Sequence, residues 1–144
     1  NAANIDLIEG GGICGQIFEK AGRDKLKEAC QKLSPIKPGE AVITDGFDLY
    51  QKFIIHAVGP IYNENYKEAC QKILKDAYIN ALELAKKNKI NSIAFPLISA
   101  GIYGYPEKEA FIIAKNTIDE FLEENEMDVY LSTYGKDILS LIMG

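Results

Sequence analysis

The chain has 144 residues, 47% of them hydrophobic and 26% charged, the balance of one ordinary globular domain with a sizeable core. No stretch approaches the roughly 18 consecutive apolar residues of a membrane span. A net charge of -5 argues against a broad footprint for duplex nucleic acid. Three cysteines (Cys14, Cys30, Cys70) and a single histidine make neither a disulfide framework nor a zinc cluster. With no basic leader or signal-type apolar core at its start, the chain is expected in the cytoplasm, with no metal and no cofactor.

The opening stretch Asn1-Ala-Ala-Asn4-Ile-Asp-Leu-Ile-Glu-Gly10-Gly-Gly-Ile-Cys-Gly15 carries three consecutive glycines. Glycine leaves no Cβ in the way, so backbone can approach something closely there. Gln16–Ala21 reads as a short helix, so Gly10–Gly15 is expected to be a loop emptying into a helix N-terminus. The unpaired N–H groups and dipole of that terminus suit an anion, phosphate above all. The two asparagines offer amide groups to sugar hydroxyls. A site for a phosphorylated sugar is the first functional expectation, and an acidic chain must build it from backbone amides.

A second short helix is expected over Asp24–Leu33, ended by Ser34-Pro-Ile-Lys-Pro-Gly39. Ala41–Thr44 and Phe53–Ala57 are short β-branched runs joined through Asp45-Gly46, hence strands. The stretch from about Tyr66 to Lys87 has apolar residues at helical spacing opposite a charged face. Ser92–Phe95 reads as a buried strand closed by Pro96. A second glycine loop follows, Ser99-Ala-Gly-Ile-Tyr103-Gly104-Tyr-Pro106, with Pro106 suited to open a helix that runs to about Asn125. A last strand over Val129–Thr133 leads to Tyr134 and a short helix that includes residues 138–142. Strands alternating with helices predict layers of helices around a largely parallel sheet, with ligands at the carboxyl ends of the strands.

These pieces, in this order, resemble the macrodomain family of ADP-ribose-binding modules. The matching text is Asn1-Ala-Ala-Asn4, Gly10-Gly-Gly-Ile-Cys-Gly15, Ile54-Ile-His-Ala-Val-Gly-Pro60 and Phe95-Pro-Leu-Ile-Ser-Ala-Gly-Ile-Tyr-Gly104. The resemblance implies a single α/β domain over residues 1–144, a three-layer α/β/α macrodomain with a central mixed, largely parallel sheet. It is greatest to the branch that removes mono-ADP-ribose from protein side chains or deacetylates O-acetyl-ADP-ribose. By that resemblance Asn4 contacts the distal ribose. Gly11, Gly12, Ile13 and Cys14 form the first substrate loop. Ser99, Ala100, Gly101, Ile102, Tyr103 and Gly104 form the second, around the diphosphate. The ring of Tyr103 presses on the distal ribose, and Tyr134 falls where an aromatic ring lies against adenine. The catalytic set so implied is Asn4, Cys14 and Tyr103, with ADP-ribose or ADP-ribosylated proteins as partners.

Two departures stand out. Family members have strands upstream of the asparagine motif, one of them central in the sheet, together with an acid that reads the adenine amino group. This chain starts at Asn1, so those strands are expected to be missing and the middle of the sheet to lack a partner. Cys14 stands where many hydrolytic relatives carry an aspartate that helps activate water. Cysteine is a poor base there, and the mechanism left is substrate-assisted: water held by backbone and Asn4, activated by the substrate's own phosphate.

Several positions keep a bland reading. Asn4 also suits a loop cap. Cys14 reads as a small neutral residue beside the loop or, at a helix N-terminus, as a nucleophile. His56 reads as a hydrogen-bonded core histidine, Cys30 and Cys70 as core, and Tyr134 as platform or edge packing. A non-catalytic reader of ADP-ribose remains the alternative function. A dinucleotide oxidoreductase, from Gly10-x-Gly12-x-x-Gly15, needs a complete strand before Gly10, for which Ile5–Ile8 is too short.

Overall fold

The computed structural model describes residues 1–132; Tyr134 and the helix expected over 138–142 lie outside the described residues. The elements run β1 (Ala2–Ala3), α1 (Gly12–Ala21), α2 (Arg23–Gln31), β2 (Ala41–Asp45), β3 (Phe53–Val58), a 3-10 turn (Glu64–Tyr66), α3 (Lys67–Lys87), β4 (Ser92–Phe95), α4 (Glu107–Glu124) and β5 (Asp128–Leu131). Strand β1 pairs parallel with β3 (Ala2 opposite Ala57), β2 pairs antiparallel with β3, and β4 pairs parallel with β5. Two of three pairings are thus parallel, as the alternation of strands and helices predicts.

Strand β3 shows why the fold has three layers. Its side chains alternate between faces. Ile54 and Val58 join a core with Phe18 and Ala21 of α1 and Leu26 and Cys30 of α2. Ala57 and Ile55 point the other way, into a core with Leu74, Tyr78 and Leu82 of α3 and Ala110, Ala114 and Phe121 of α4. Helix α3 earns this place through its spacing: Cys70, Leu74, Ala77, Tyr78, Ala81, Leu82 and Ala85 are its buried residues. It stops at Asn88, whose amide nitrogen donates to the Leu84 carbonyl at 2.8 Å, and at Lys89, in the left-handed region at φ 57°. Truncating a fully buried leucine such as Leu74 to alanine would cost about 2–5 kcal/mol.

The strands form two separate sheets, β1-β3-β2 and β4-β5. A cleft of about 680 Å³ separates them, lined by Phe53–Ile55 and Ala57 on one side and Ser92–Phe95 on the other. No described strand lies between them. The reading of Ser92–Phe95 as a buried strand is corrected. Ser92 and Ala94, which share one face of β4, are exposed, while Ile93 and Phe95 on the other face pack into the core.

Candidate active site

A second cleft of about 560 Å³ opens where β1 and β4 end. Its walls are the stretches after those strands, as expected for ligand sites at carboxyl strand ends.

The first wall begins at Asn4. Its amide clasps the loop it starts: Nδ2 donates to the Ile8 carbonyl at 2.9 Å, and Oδ1 accepts from the Ile8 N–H at 3.1 Å. The Leu7 N–H bonds the Asn4 carbonyl at 3.0 Å, with Leu7 at φ 53° and its side chain buried. Residues 5–8 therefore form a tight bend and no strand, which removes the support for a dinucleotide fingerprint. The loop-capping reading of Asn4 holds, and one amide hydrogen and one oxygen lone pair remain for a ligand.

Helix α1 starts at Gly12, four residues before the expected Gln16. Glycine's poor helix propensity hides this start, but the first turn needs no side chains to form. Gly11 precedes it in extended conformation and Gly12 stands at φ 60°. No side chain caps the helix and no acid lies in its first turn, so the amides of the first turn are open at the positive end of the dipole. Gly15 is required by a close approach: a Cβ there would lie 2.7 Å from the Gly10 carbonyl oxygen. Cys14 is buried, its thiol directed at the Ile8 carbonyl (3.8 Å) and approached by Asn1 Nδ2 (3.7 Å).

The second wall runs from Pro96 to Tyr105 and is fastened from beneath. The hydroxyl of Tyr78, fully buried on α3, donates to the Pro96 carbonyl at 3.1 Å and accepts from the Ile98 N–H at 2.9 Å. Ser99, at φ 67°, turns its hydroxyl inward to donate to the Pro60 carbonyl at 2.7 Å. Ala100 and Gly104 donate their N–H groups within the loop, to Leu97 and Gly101. Among the described residues, the amides of Gly101, Ile102 and Tyr103 have no backbone partner. Burial pushes the Tyr103 phenol above its ordinary pKa, and the nearby Cys14 and Asp6 add to this. Ile102 reaches across the cleft: a Cβ on Gly11 would lie 3.3 Å from its Cδ1.

Asn4, Gly11, Gly12, Ile13, Cys14, Ala100, Gly101, Ile102 and Tyr103 thus come together on one cleft. Ser99 and Gly104 stand in the same loop behind this lining: the Ser99 hydroxyl is turned to Pro60, and the Gly104 N–H closes the loop's turn on Gly101. Sequence reasoning missed Ile8, whose backbone both Asn4 and Cys14 engage, and Tyr78, read only as one apolar position on α3. Among the described residues, Glu107 is the sole charged residue of the lining, and no lysine or arginine contributes to it. His56 is a buried core histidine, as read, bonded to Thr44 and Asn1. Cys30 and Cys70 are buried, and burial pushes the Cys30 thiol up to about 11.

The arrangement can hold an anion on backbone N–H groups of two facing loops, with an immobilised amide beside it. The family model for the Macro domain matches residues 1–114. Human ADP-ribose glycohydrolase MACROD2 is 45% identical over 129 residues, 90% of this chain and 30% of that protein. An O-acetyl-ADP-ribose deacetylase of Enterobacter sp. (strain 638) is 43% identical over 145 residues, 95% of this chain and 78% of that protein. The solved Oceanobacillus iheyensis macrodomain with ADP superimposes with a TM-score of 0.91 at 43% identity, covering 99% of this chain and 78% of the other. The chain therefore spans under a third of the human relative and about four fifths of the bacterial ones. Motifs, topology and these likenesses agree: the chain belongs to the Macro domain family.

Proposed function

We propose that the chain binds ADP-ribose in the cleft between its two glycine loops. It hydrolyses the ester that joins mono-ADP-ribose to an acidic protein side chain, or the acetyl ester of O-acetyl-ADP-ribose. The observation that carries this reading is a cleft walled by open amides and, among the described residues, free of cationic side chains, in a chain 43–45% identical to an ADP-ribose glycohydrolase and an O-acetyl-ADP-ribose deacetylase. The diphosphate goes to the first-turn amides of α1 and to those of Gly101, Ile102 and Tyr103. The free valences of Asn4 take a distal-ribose hydroxyl, and the Tyr103 ring borders that sugar. Residues 1–144 act as one macrodomain, and the three unpaired cysteines suit a cytoplasmic setting. Among the described residues no helix is long and apolar enough to cross a membrane.

Among the described residues Glu107, at the start of α4, is the one carboxylate in the lining, and Cys14 is turned to the Ile8 carbonyl. Water activation is therefore assigned to the substrate's phosphate, with the protein supplying position. In the side-chain ester, the bond to the anomeric carbon breaks, water adds there, and the acid leaves as carboxylate. Cysteine in place of aspartate at position 14 favours the second reading, a non-catalytic reader. Single-turnover release of ADP-ribose from an acid-linked, mono-ADP-ribosylated protein tests both. Hydrolysis predicts release by wild type and its loss in Asn4→Ala. Binding of ADP-ribose without release by wild type makes the chain a reader.

A further inference from the structure

Beneath the first loop lies a hydrogen-bonded chain that the proposed chemistry does not use. His56 of β3 is 1% exposed and sits between Thr44 of β2 and Asn1. Asn1 Nδ2 lies 3.1 Å from His56 Nδ1, and His56 Nε2 lies 2.9 Å from Thr44 Oγ1. The Thr44 hydroxyl donates its one hydrogen to the Asp45 carbonyl at 3.1 Å, so it can only accept from the imidazole. The proton of His56 is then on Nε2, and Nδ1 is left to accept from Asn1. The opposite tautomer would require Thr44 to abandon Asp45. Burial pushes the His56 pKa down to about 3, so the ring stays neutral and Nδ1 keeps its lone pair at working pH.

The other hydrogen of the Asn1 amide points to Cys14 Sγ at 3.7 Å. Asn1 Oδ1 is buried without a partner among the described residues, while the amide nitrogen engages both His56 and Cys14. The Cys14 thiol goes on to the Ile8 carbonyl (3.8 Å), the same oxygen that Asn4 Nδ2 holds at 2.9 Å.

We infer that His56 is a positioning residue for the first loop: its Nδ1 fixes the Asn1 amide, and Asn1 passes that constraint through Cys14 and the Ile8 carbonyl to Asn4. The inference rests on the ADP-ribosyl reading of the cleft. It separates two functions of one ring. Nε2 ties β3 to Thr44 and serves stability, while Nδ1 serves the site.

Two near-isosteric variants of the full chain divide these functions. In His56→Asn the side-chain oxygen falls near Nδ1 and can accept from Asn1. In His56→Gln the amide nitrogen falls near Nε2 and can donate to Thr44. His56→Gln is expected to lower the single-turnover release rate by about 10-fold, while the Kd of ADP-ribose shifts less than about 3-fold. His56→Asn is expected to stay within about 3-fold of wild type in rate, despite a comparable loss of Tm. The side-chain amide signal of Asn4 in a 1H–15N spectrum, remote from the lost ring, gives a readout that needs no substrate: it moves in His56→Gln and not in His56→Asn. Equal rates and equal spectra for the two variants, or rates that follow Tm alone, would overturn the inference. A wild type that binds but releases nothing would refute hydrolysis instead, and the Asn4 amide signal would still decide whether His56 positions the loop.

Discussion

Gly59, just past β3, is where the second loop is most exposed to a single carbon atom. An added Cβ would lie 2.2 Å from Ser99 Oγ and 2.5 Å from Ile98 Cγ2, distances no packed pair tolerates. In Gly59→Ala the Ser99 hydroxyl must leave the Pro60 carbonyl that it bonds at 2.7 Å. An unpaired buried acceptor costs about 1–3 kcal/mol. Crowding against Ile98, which is 1% exposed, adds about 1–3 kcal/mol, less the roughly 0.4–1 kcal/mol gained from a stiffer unfolded chain. The net loss is about 3 kcal/mol, which in a domain of this size lowers Tm by about 10 °C. Because Ser99 and Ile98 fasten the loop that carries the Gly101–Tyr103 amides, ADP-ribose affinity is expected to fall by about 10-fold as well. Thermal unfolding by circular dichroism and calorimetric titration read the two effects. Adding Ser99→Gly supplies the control. It removes the clashing hydroxyl and relieves a serine held at φ 67°, so it should return about half of the lost stability. A Gly59→Ala protein that melts within about 2 °C of wild type and binds normally would refute the account of how this loop is anchored.

Tyr78→Phe leaves the Pro96 carbonyl and the Ile98 N–H without their shared hydroxyl, and a loss of about 2–3 kcal/mol is expected from urea unfolding. With no lysine or arginine in the lining among the described residues, the Kd of ADP-ribose should change less than about 3-fold between 0.05 and 0.5 M NaCl, whereas a cation-held diphosphate would weaken steeply. His56 has its native pKa pushed down from 6.5 to about 3 by burial, so the unfolded chain takes up that proton first. Its stabilisation is complete above about pH 6.5 and is lost as pH falls toward 3, at about 1.4 kcal/mol per pH unit. Urea midpoints should therefore fall between pH 6.5 and 5 in wild type and flatten in His56→Asn.

Periodicity made the helices legible: α3 and α4 lie within a residue or two of their expected bounds, and β4 has the bounds read for it. What sequence could not convey was which edges and backbone groups find partners. Ser92–Phe95 has the composition of a buried strand, yet the face that carries Ser92 and Ala94 is exposed, and what covers a face is a tertiary matter. The start of α1 was masked because Gly12 and Gly15 belong to a helix whose first turn is shaped by close backbone contact and not by propensity. Ser99 was grouped with the residues facing the ligand, and nothing local reveals a serine at positive φ whose hydroxyl turns to Pro60. His56 was legible as a bonded core histidine, but its partners are a residue on a neighbouring strand and one 55 positions away in sequence.

Asn4 shows why a capping role and a binding role need not compete. One amide hydrogen and one lone pair hold Ile8 at 2.9 and 3.1 Å, which fixes the plane in which the remaining hydrogen and lone pair point. A ligand hydroxyl that meets an amide already immobilised loses less on binding than one that must order a free side chain. The clasp is therefore part of the recognition. This makes Asn4→Asp a harsher change than its shape suggests. The carboxylate keeps an acceptor for the Ile8 N–H but sets its second oxygen against the Ile8 carbonyl, where the amide nitrogen had donated. Losing that bond and facing two acceptors costs about 1–3 kcal/mol, and the loop must open to relieve it. Asn4→Asp is thus expected to bind ADP-ribose at least as poorly as Asn4→Ala, with a lower Tm than wild type. An Asn4→Asp protein with wild-type Tm and affinity would show that the side chain does not clasp Ile8 in solution, and the fixed amide could then not be what orients the ribose.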